Sequence, residues 1–277
     1  MELAVGQIIV TDLMQFDIDA IMHSGQVFRY FEIDNGYKVV SGSNYARVKK
    51  CENKIIIECD NEKYFRNYFD LDTDYNQMKK ELSKYKSIEK ILREPNVGGI
   101  RILRAEFIEM VISFIISANN NIKRFTKTLN AMCEKFGSKL ECGLHAFPTI
   151  QQLSEITVAD FDALGCGYRS KYLVTVVQQL KSAEMQTEVL KSLNNIELSK
   201  RLQTLSGVGP KVASCIMLFC GDFHRLDIAP QDTWIIKALE QFPKIDREVL
   251  LDHKFAGVAQ QYVYYYLQYL HMSIILE

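Results

Sequence analysis

The run Leu205-Ser206-Gly207-Val208-Gly209-Pro210-Lys211-Val212-Ala213 sets a lysine just beyond a glycine-rich turn. Gly207 and Gly209 allow a tight turn with positive φ, where a side chain would obstruct the approach of another backbone. Pro210 suits the first turn of the helix that follows, because that position has no use for its N–H. A hairpin of this kind turns the amides around Gly207, Val208 and Gly209, and the positive end of a helix dipole, toward an anion. It is a seat for a phosphate. Lys211 falls in the first turn of that helix, where the dipole and any burial disfavour an ammonium, as an amine nucleophile requires. Taken alone, the pattern serves equally a phosphate-binding hairpin with a solvated lysine. Further on, Ile228-Ala229-Pro230-Gln231-Asp232-Thr233-Trp234-Ile235-Ile236 reads as loop, then N-cap, then helix, with Asp232 as the capping carboxylate.

Two composition regimes must position these groups. From Gln26 to Cys59 the residues alternate and carry β-formers: Val27 to Ile33, Tyr37 to Val40, Ala46 to Lys49 and Lys54 to Cys59. Asp34-Asn35-Gly36 is a hairpin signal, so this stretch predicts an antiparallel meander. Tyr64 to Tyr85 turns helical in pattern. From about Arg104 onward nearly everything reads as helix, with Phe107, Met110, Val111, Phe114, Ile115 and Ala118 at helical spacing. Asn119-Asn120-Asn121 interrupts that pattern, and Ile122 to Phe136 resumes it. Helices over Val158–Leu164, Tyr172–Leu180 and Pro210–Cys220 follow, then the Asp232 helix and a tyrosine-rich terminal helix from Ala256. Pro95-Asn96-Val97-Gly98-Gly99 punctuates the chain and marks a boundary. The expectation is an α+β protein: a small antiparallel β-sheet domain with helices over 1–99, then a helical domain over 100–277. A cleft lies between them, and the terminal helix returns to the junction.

The 277 residues suffice for one large or two modest domains, and 48% hydrophobic with 24% charged residues is ordinary for a globular protein. The formal net charge of −1 advertises no global affinity for nucleic acid. Locally, Arg169, Lys171, Lys181, Lys191, Lys200, Arg201 and Lys211 face only Glu184, Glu188 and Glu197 in the same stretch, and a basic face can bind phosphates on a neutral protein. The seven cysteines are scattered, odd in number and without a C-x-x-C pair, which fits a reducing compartment and no metal cluster. There is no signal-peptide pattern and no bilayer-spanning apolar run. A cytoplasmic location in a bacterium, at the nucleoid, or a nuclear one in a eukaryote is expected.

Chemistry on a nucleobase requires taking it out of the stack, so such an enzyme needs a stacking pocket and a filler for the hole. Cys215 lies one helical turn beyond Lys211, and Gln260 and Tyr264 share a face of the terminal helix. Such a set could hold a base, or could be ordinary core packing. The segments His23-Ser24-Gly25-Gln26-Val27-Phe28-Arg29, Ser117-Ala118-Asn119-Asn120-Asn121-Ile122-Lys123-Arg124 and Leu164-Gly165-Cys166-Gly167-Tyr168-Arg169 add to the hairpin and to Ala256-Gly257-Val258-Ala259-Gln260. Together these motifs, in order along nearly the whole chain, resemble the 8-oxoguanine DNA glycosylases of the helix-hairpin-helix superfamily.

The resemblance implies roles. Lys211 would be the nucleophile of a bifunctional, strand-nicking glycosylase, and Asp232 its essential aspartate. Gly25 would offer its carbonyl to the N7–H that oxidised guanine has and guanine lacks. Cys215 and Tyr264 would sandwich the base, with Gln260 on its pairing edge. Tyr168 would wedge into the duplex, beside Arg169, while Asn119 fills the vacated space. Arg124 with Asn119 would read the orphaned cytosine. The family more often has phenylalanine at Tyr264 and an apolar residue at Gln231. No redox cofactor or catalytic metal is implied, and the iron–sulfur cluster of some relatives lacks its cysteines here. The implied partner is duplex DNA containing oxidised guanine, bound by a monomer without a membrane. Two alternatives remain at this level: a glycosylase for another damaged purine on the same fold, and a non-catalytic helix-hairpin-helix DNA-binding protein.

Overall fold

The computed structural model describes residues 6–94, 97–231, 235–236 and 246–276. Five strands form one antiparallel sheet: β1 (Gly6–Val10), β2 (Tyr30–Ile33), β3 (Gly36–Ser41), β4 (Asn44–Cys51) and β5 (Lys54–Cys59), in the order β1-β5-β4-β3-β2. The Asp34–Gly36 turn joins β2 to β3 as the sequence predicts, with Asn35 at φ 58°. Alternation works as expected in β5, where Ile55, Ile57 and Cys59 point into the core.

Two features differ from the sequence reading. β1 is an additional edge strand, pairing Gly6 with Cys59 and Val10 with Ile55. It is short and carries no turn signal before it, and its Ile9 is exposed while Ile8 is buried. The strand expected from Val27 begins instead at Tyr30. Val27 and Phe28 are buried, but their main chain belongs to the turn after α1 (Ile18–His23). Only the Arg29 carbonyl keeps a ladder-like bond, from Val40 N at 3.0 Å.

Helices α2 (Glu62–Tyr68), α3 (Tyr75–Leu82) and α4 (Lys86–Leu92) follow the sheet. The helical part then contains α5 (Phe107–Ser117), α6 (Ile122–Phe136), α7 (Ile150–Ser154), α8 (Val158–Ala163), α9 (Arg169–Leu180), α10 (Thr187–Lys191), α11 (Asn195–Leu202), α12 (Pro210–Phe219), α13 (Arg247–Leu251) and α14 (Ala256–Leu276). α5 is buried all round, including Ile112 and Ile116 opposite the expected face, because α6, α9 and α12 enclose it. Thr149, Thr157 and Asn194 close capping boxes at α7, α8 and α11. α14 packs against α4 and α13, which brings the end of the chain back to the segment that follows the sheet.

Buried polar contacts fasten the sheet to the helices. Gly42 N donates to Glu109 Oε2 at 2.8 Å, and Phe147 N to the Gly42 carbonyl at 2.9 Å. Burial pushes the Glu109 carboxyl up to about 7, against the pull of the Arg29 guanidinium. Asp70, at φ 52°, accepts from Arg104 Nε at 2.8 Å and Tyr75 Oη at 2.9 Å, and meets His224 Nε2 at 3.3 Å. The linker after α4 and the loop after α12 are thereby held together.

Candidate active site

The hairpin joins α11 to α12. Gly207 sits at φ 83°, and a Cβ there would come within 3.2 Å of both Ile115 Cγ2 and Tyr172 Cβ. Both the turn and the packing therefore require glycine at this position. Gly209 does not behave as predicted: its φ is −92° with ψ −178°, an extended conformation open to any residue. A Cβ on Gly209 would meet nothing within 4 Å. Its smallness leaves the outer surface of the hairpin open rather than serving the turn. Val208 is buried, and its N–H donates to the Leu205 carbonyl at 3.0 Å. Pro210 opens α12 as expected, which puts Lys211 in the first turn.

Lys211 is half-buried, and its Nζ stands 5.1 Å from the centroid of the Phe114 ring on α5. It lines a cavity of about 480 Å³ together with Gly25, Phe28, Phe114, Asn119 and Tyr264. Phe28 is edge-on to Phe114 at 5.6 Å and to Phe125 at 4.6 Å, so these three rings form one aromatic wall of the cavity. Gly25 has φ 76°, and the space a Cβ would take is filled by Tyr264, whose Oη would lie 3.1 Å from it. Gln26 fixes this turn. Its Nε2 donates to Ser24 Oγ and to the Arg101 carbonyl, both at 2.8 Å, while its Oε1 accepts from Leu103 N at 2.7 Å. Sequence reasoning quoted Gln26 without giving it a task. The available signal was an amide flanked by Gly25 and the apolar pair Val27-Phe28, which needs internal partners once buried.

The structure thus brings Gly25, Asn119, Lys211 and Tyr264 around one space. Cys215 and Gln260 do not line it. Each is 2% exposed, and Gln260 Oε1 accepts from Gln261 Nε2 at 2.9 Å. Asp232 lies outside the described residues, as do Thr233 and Trp234, although Gln231 immediately before it lines the cavity. Ile122 and Ile236, both exposed, and Gln268 complete the rim.

The groups expected at the opposite base lie beside this cavity. Asn119 is exposed, with φ 49°. Arg169 is buried; its Nε donates to the Ala118 carbonyl at 2.9 Å and its Nη2 to the Asn119 carbonyl at 3.0 Å. Its guanidinium is therefore occupied in holding the Asn119 loop. Arg169 Cζ lies 4.4 Å over the ring of Tyr168, which is 58% exposed and stands edge-on to Tyr172 at 6.1 Å. Arg124 is exposed on the first turn of α6 and does not line this cavity.

A lysine in the first turn after a hairpin, facing a cavity that Gly25 and Phe28 also line, defines a helix-hairpin-helix fold of the DNA glycosylase type. Residues 8–111 match the 8-oxoguanine DNA glycosylase N-terminal domain, and residues 112–252 match the HhH-GPD superfamily base excision DNA repair protein family. The chain belongs to the HhH-GPD superfamily of base excision DNA repair proteins, in the branch carrying the 8-oxoguanine glycosylase N-terminal domain. It is 34% identical over 181 residues to the N-glycosylase/DNA lyase OGG1 of Arabidopsis thaliana, covering 63% of this chain and 50% of that one. Against the N-glycosylase/DNA lyase of Saccharomyces cerevisiae it is 34% identical over 152 residues, covering 50% of this chain and 40% of the other. The matched stretch thus spans half or less of these curated relatives. The solved structure of Clostridium acetobutylicum 8-oxoguanine glycosylase/lyase, bound to duplex DNA with cytosine opposite to 8-oxoG, superposes with a TM-score of 0.86. That match is 35% identical and covers 96% of this chain and 98% of that one.

Proposed function

We propose that the protein is a bifunctional glycosylase and lyase that excises 8-oxoguanine opposite cytosine from duplex DNA and then nicks the strand. The observation that carries this reading is the shared cavity of Lys211, Gly25, Asn119 and Tyr264 beside the α11–α12 hairpin. The Gly207-Val208-Gly209 hairpin, whose open face is at Gly209, receives backbone phosphate. Tyr168 enters the stack as the damaged nucleotide swings out, and Asn119 takes the place it leaves.

The Gly25 carbonyl accepts from N7–H of the oxidised base. Guanine lacks that proton and would leave the acceptor unpaired, which is the basis of selection. Tyr264 covers one face of the base; Cys215 covers the other, and Gln260 reads the pairing edge. The ring of Tyr264 lies against Gly25, so the base enters by moving that ring aside. Contact with the buried Cys215 and Gln260 then becomes available.

Lys211, as the free amine, forms a bond from Nζ to the sugar C1′ while the bond from C1′ to the base breaks, and a proton released from Nζ neutralises the departing base. Asp232 remains a carboxylate and stabilises the positive charge that grows on the sugar. Ring opening gives a Schiff base between Nζ and C1′. Loss of a C2′ proton then expels the 3′ phosphate oxygen, cutting the strand 3′ to the lesion. The protein acts as a monomer.

A duplex carrying one 8-oxoguanine tests the reading. Strand scission on this duplex, with a borohydride-trapped covalent complex, is the expected result. An intact 8-oxoguanine duplex, with base release from a second duplex carrying an alkylated purine, would favour the other glycosylase, and binding without excision from either would leave only a DNA-binding module.

A further inference from the structure

A second cavity, of about 560 Å³, adjoins the first and shares Gly25, Phe28 and Ile122 with it. α6 contributes Lys123 and Lys127 to its lining, and His23 and Tyr30 line it as well. Lys123 and Lys127 stand one turn apart on the same face of α6, separated by about 6 Å of helix rise. Both are exposed, and neither makes an ion pair or hydrogen bond among the described residues. This contrasts with Lys135 further along α6, which is paired with Asp160 at 2.9 Å. Glu32, the carboxylate in the same lining, is 3.5 Å from His23.

We infer that Lys123 and Lys127 form a phosphate-binding strip for the DNA strand opposite the lesion. The strip starts beside Asn119 and Arg124, which stand at the opening of α6 where the orphaned base is read. This placement rests on the function proposed above. From there the strip leads away along α6, outside the cavity that takes the damaged base. With a formal net charge of −1 the chain has no overall field to hold a duplex, so attraction must come from local cations free to meet phosphate. Two lysines one turn apart, unpaired among the described residues, supply that on a face of α6 next to the pocket.

The test is the salt dependence of binding by the full chain in a Lys211→Gln background, expected to bind without cutting. Affinity for an 8-oxoguanine duplex is measured by fluorescence anisotropy across a range of potassium chloride. Each phosphate contact contributes about 0.9 to the slope of log K against log salt. K123A/K127A should therefore lower the slope by about 1.8, while K123R/K127R should keep the wild-type slope. Neutral methylphosphonates placed in the lesion-free strand should reproduce the loss, and should add little to it in the alanine variant. An unchanged slope in K123A/K127A would overturn the strip. A loss reproduced only by neutralising the lesion strand would overturn its assignment to the opposite strand. If wild type fails to cut the duplex, the functional reading falls, and the slopes still decide whether the two lysines hold phosphate.

Discussion

Arg169 donates from its guanidinium to the carbonyl of Asn119 at 3.0 Å, and so holds a residue in the left-handed region, at φ 49°, which asparagine tolerates better than most side chains. The same guanidinium lies under the ring of Tyr168. One buried side chain therefore sets the spacing between the residue proposed to enter the stack and the one proposed to fill it.

Arg169→Lys keeps the charge but loses the planar fork that reaches the carbonyls of Ala118 and Asn119. Each acceptor left without its donor costs roughly 1–3 kcal/mol. Single-turnover excision should fall with all four opposite bases, because Asn119 is displaced rather than removed. A variant that melts lower but turns over at the wild-type rate would show that the loop holds its shape unaided.

Lys211→Gln should retain duplex binding and lose both borohydride trapping and strand cleavage. Gel-resolved trapping on lesion DNA makes the comparison. Trapping at the wild-type level in this variant would place the nucleophile at another lysine.

Asp232→Asn should cost turnover far more than DNA affinity. If the residue served only as a cap, the change would be small, since asparagine is itself a good cap and even deletion to alanine costs about 1 kcal/mol. Parallel measurements of melting temperature, affinity and single-turnover rate separate the two roles. A shift in melting with nearly intact turnover would defeat the catalytic assignment.

Arg124→Ala should lower excision opposite cytosine more than opposite adenine, guanine or thymine. Loss of a hydrogen bond to a buried base edge is worth roughly 1–3 kcal/mol, or about five- to more than a hundredfold in rate. Four duplexes differing only at the opposite base provide the measurement. If wild type already treats them alike, Arg124 is a solvated surface charge.

Glu109 gives a pH dependence of stability. Burial raises its carboxyl from the ordinary 4.5 to about 7 in the folded chain. The folded state therefore keeps this proton where the unfolded state has released it. The resulting stabilisation is full below about pH 4.5 and is lost as the pH rises through about 7. A displacement of this size corresponds to roughly 3 kcal/mol between the two limits. Urea unfolding at about pH 5 and about pH 8 should show this component in wild type and not in Glu109→Gln. An equal pH dependence in both would show that Glu109 is ionised in the fold.

What the sequence determined by itself was local. Asn121 caps α6 where the asparagine run interrupts the pattern, Pro210 starts α12, and Asn35 turns the β2–β3 hairpin, because capping, proline and turn preferences act over a few residues. The five motifs also placed the chain in its family, since their order and spacing survive without coordinates. The tertiary structure decided depth and partnership. Helical period puts Cys215 on the Lys211 side of α12 but says nothing of how deeply it is buried, and it cannot tell that Gln260 is buried outside the cavity lining while Tyr264 lines it. It could not show that Gly209 is extended, that Gln26 ties the Gly25 turn to Arg101 and Leu103, or that Arg169 is committed to main-chain carbonyls. Those outcomes depend on segments far apart in the chain meeting at ångström range, and a periodic pattern along one segment carries no term for the other.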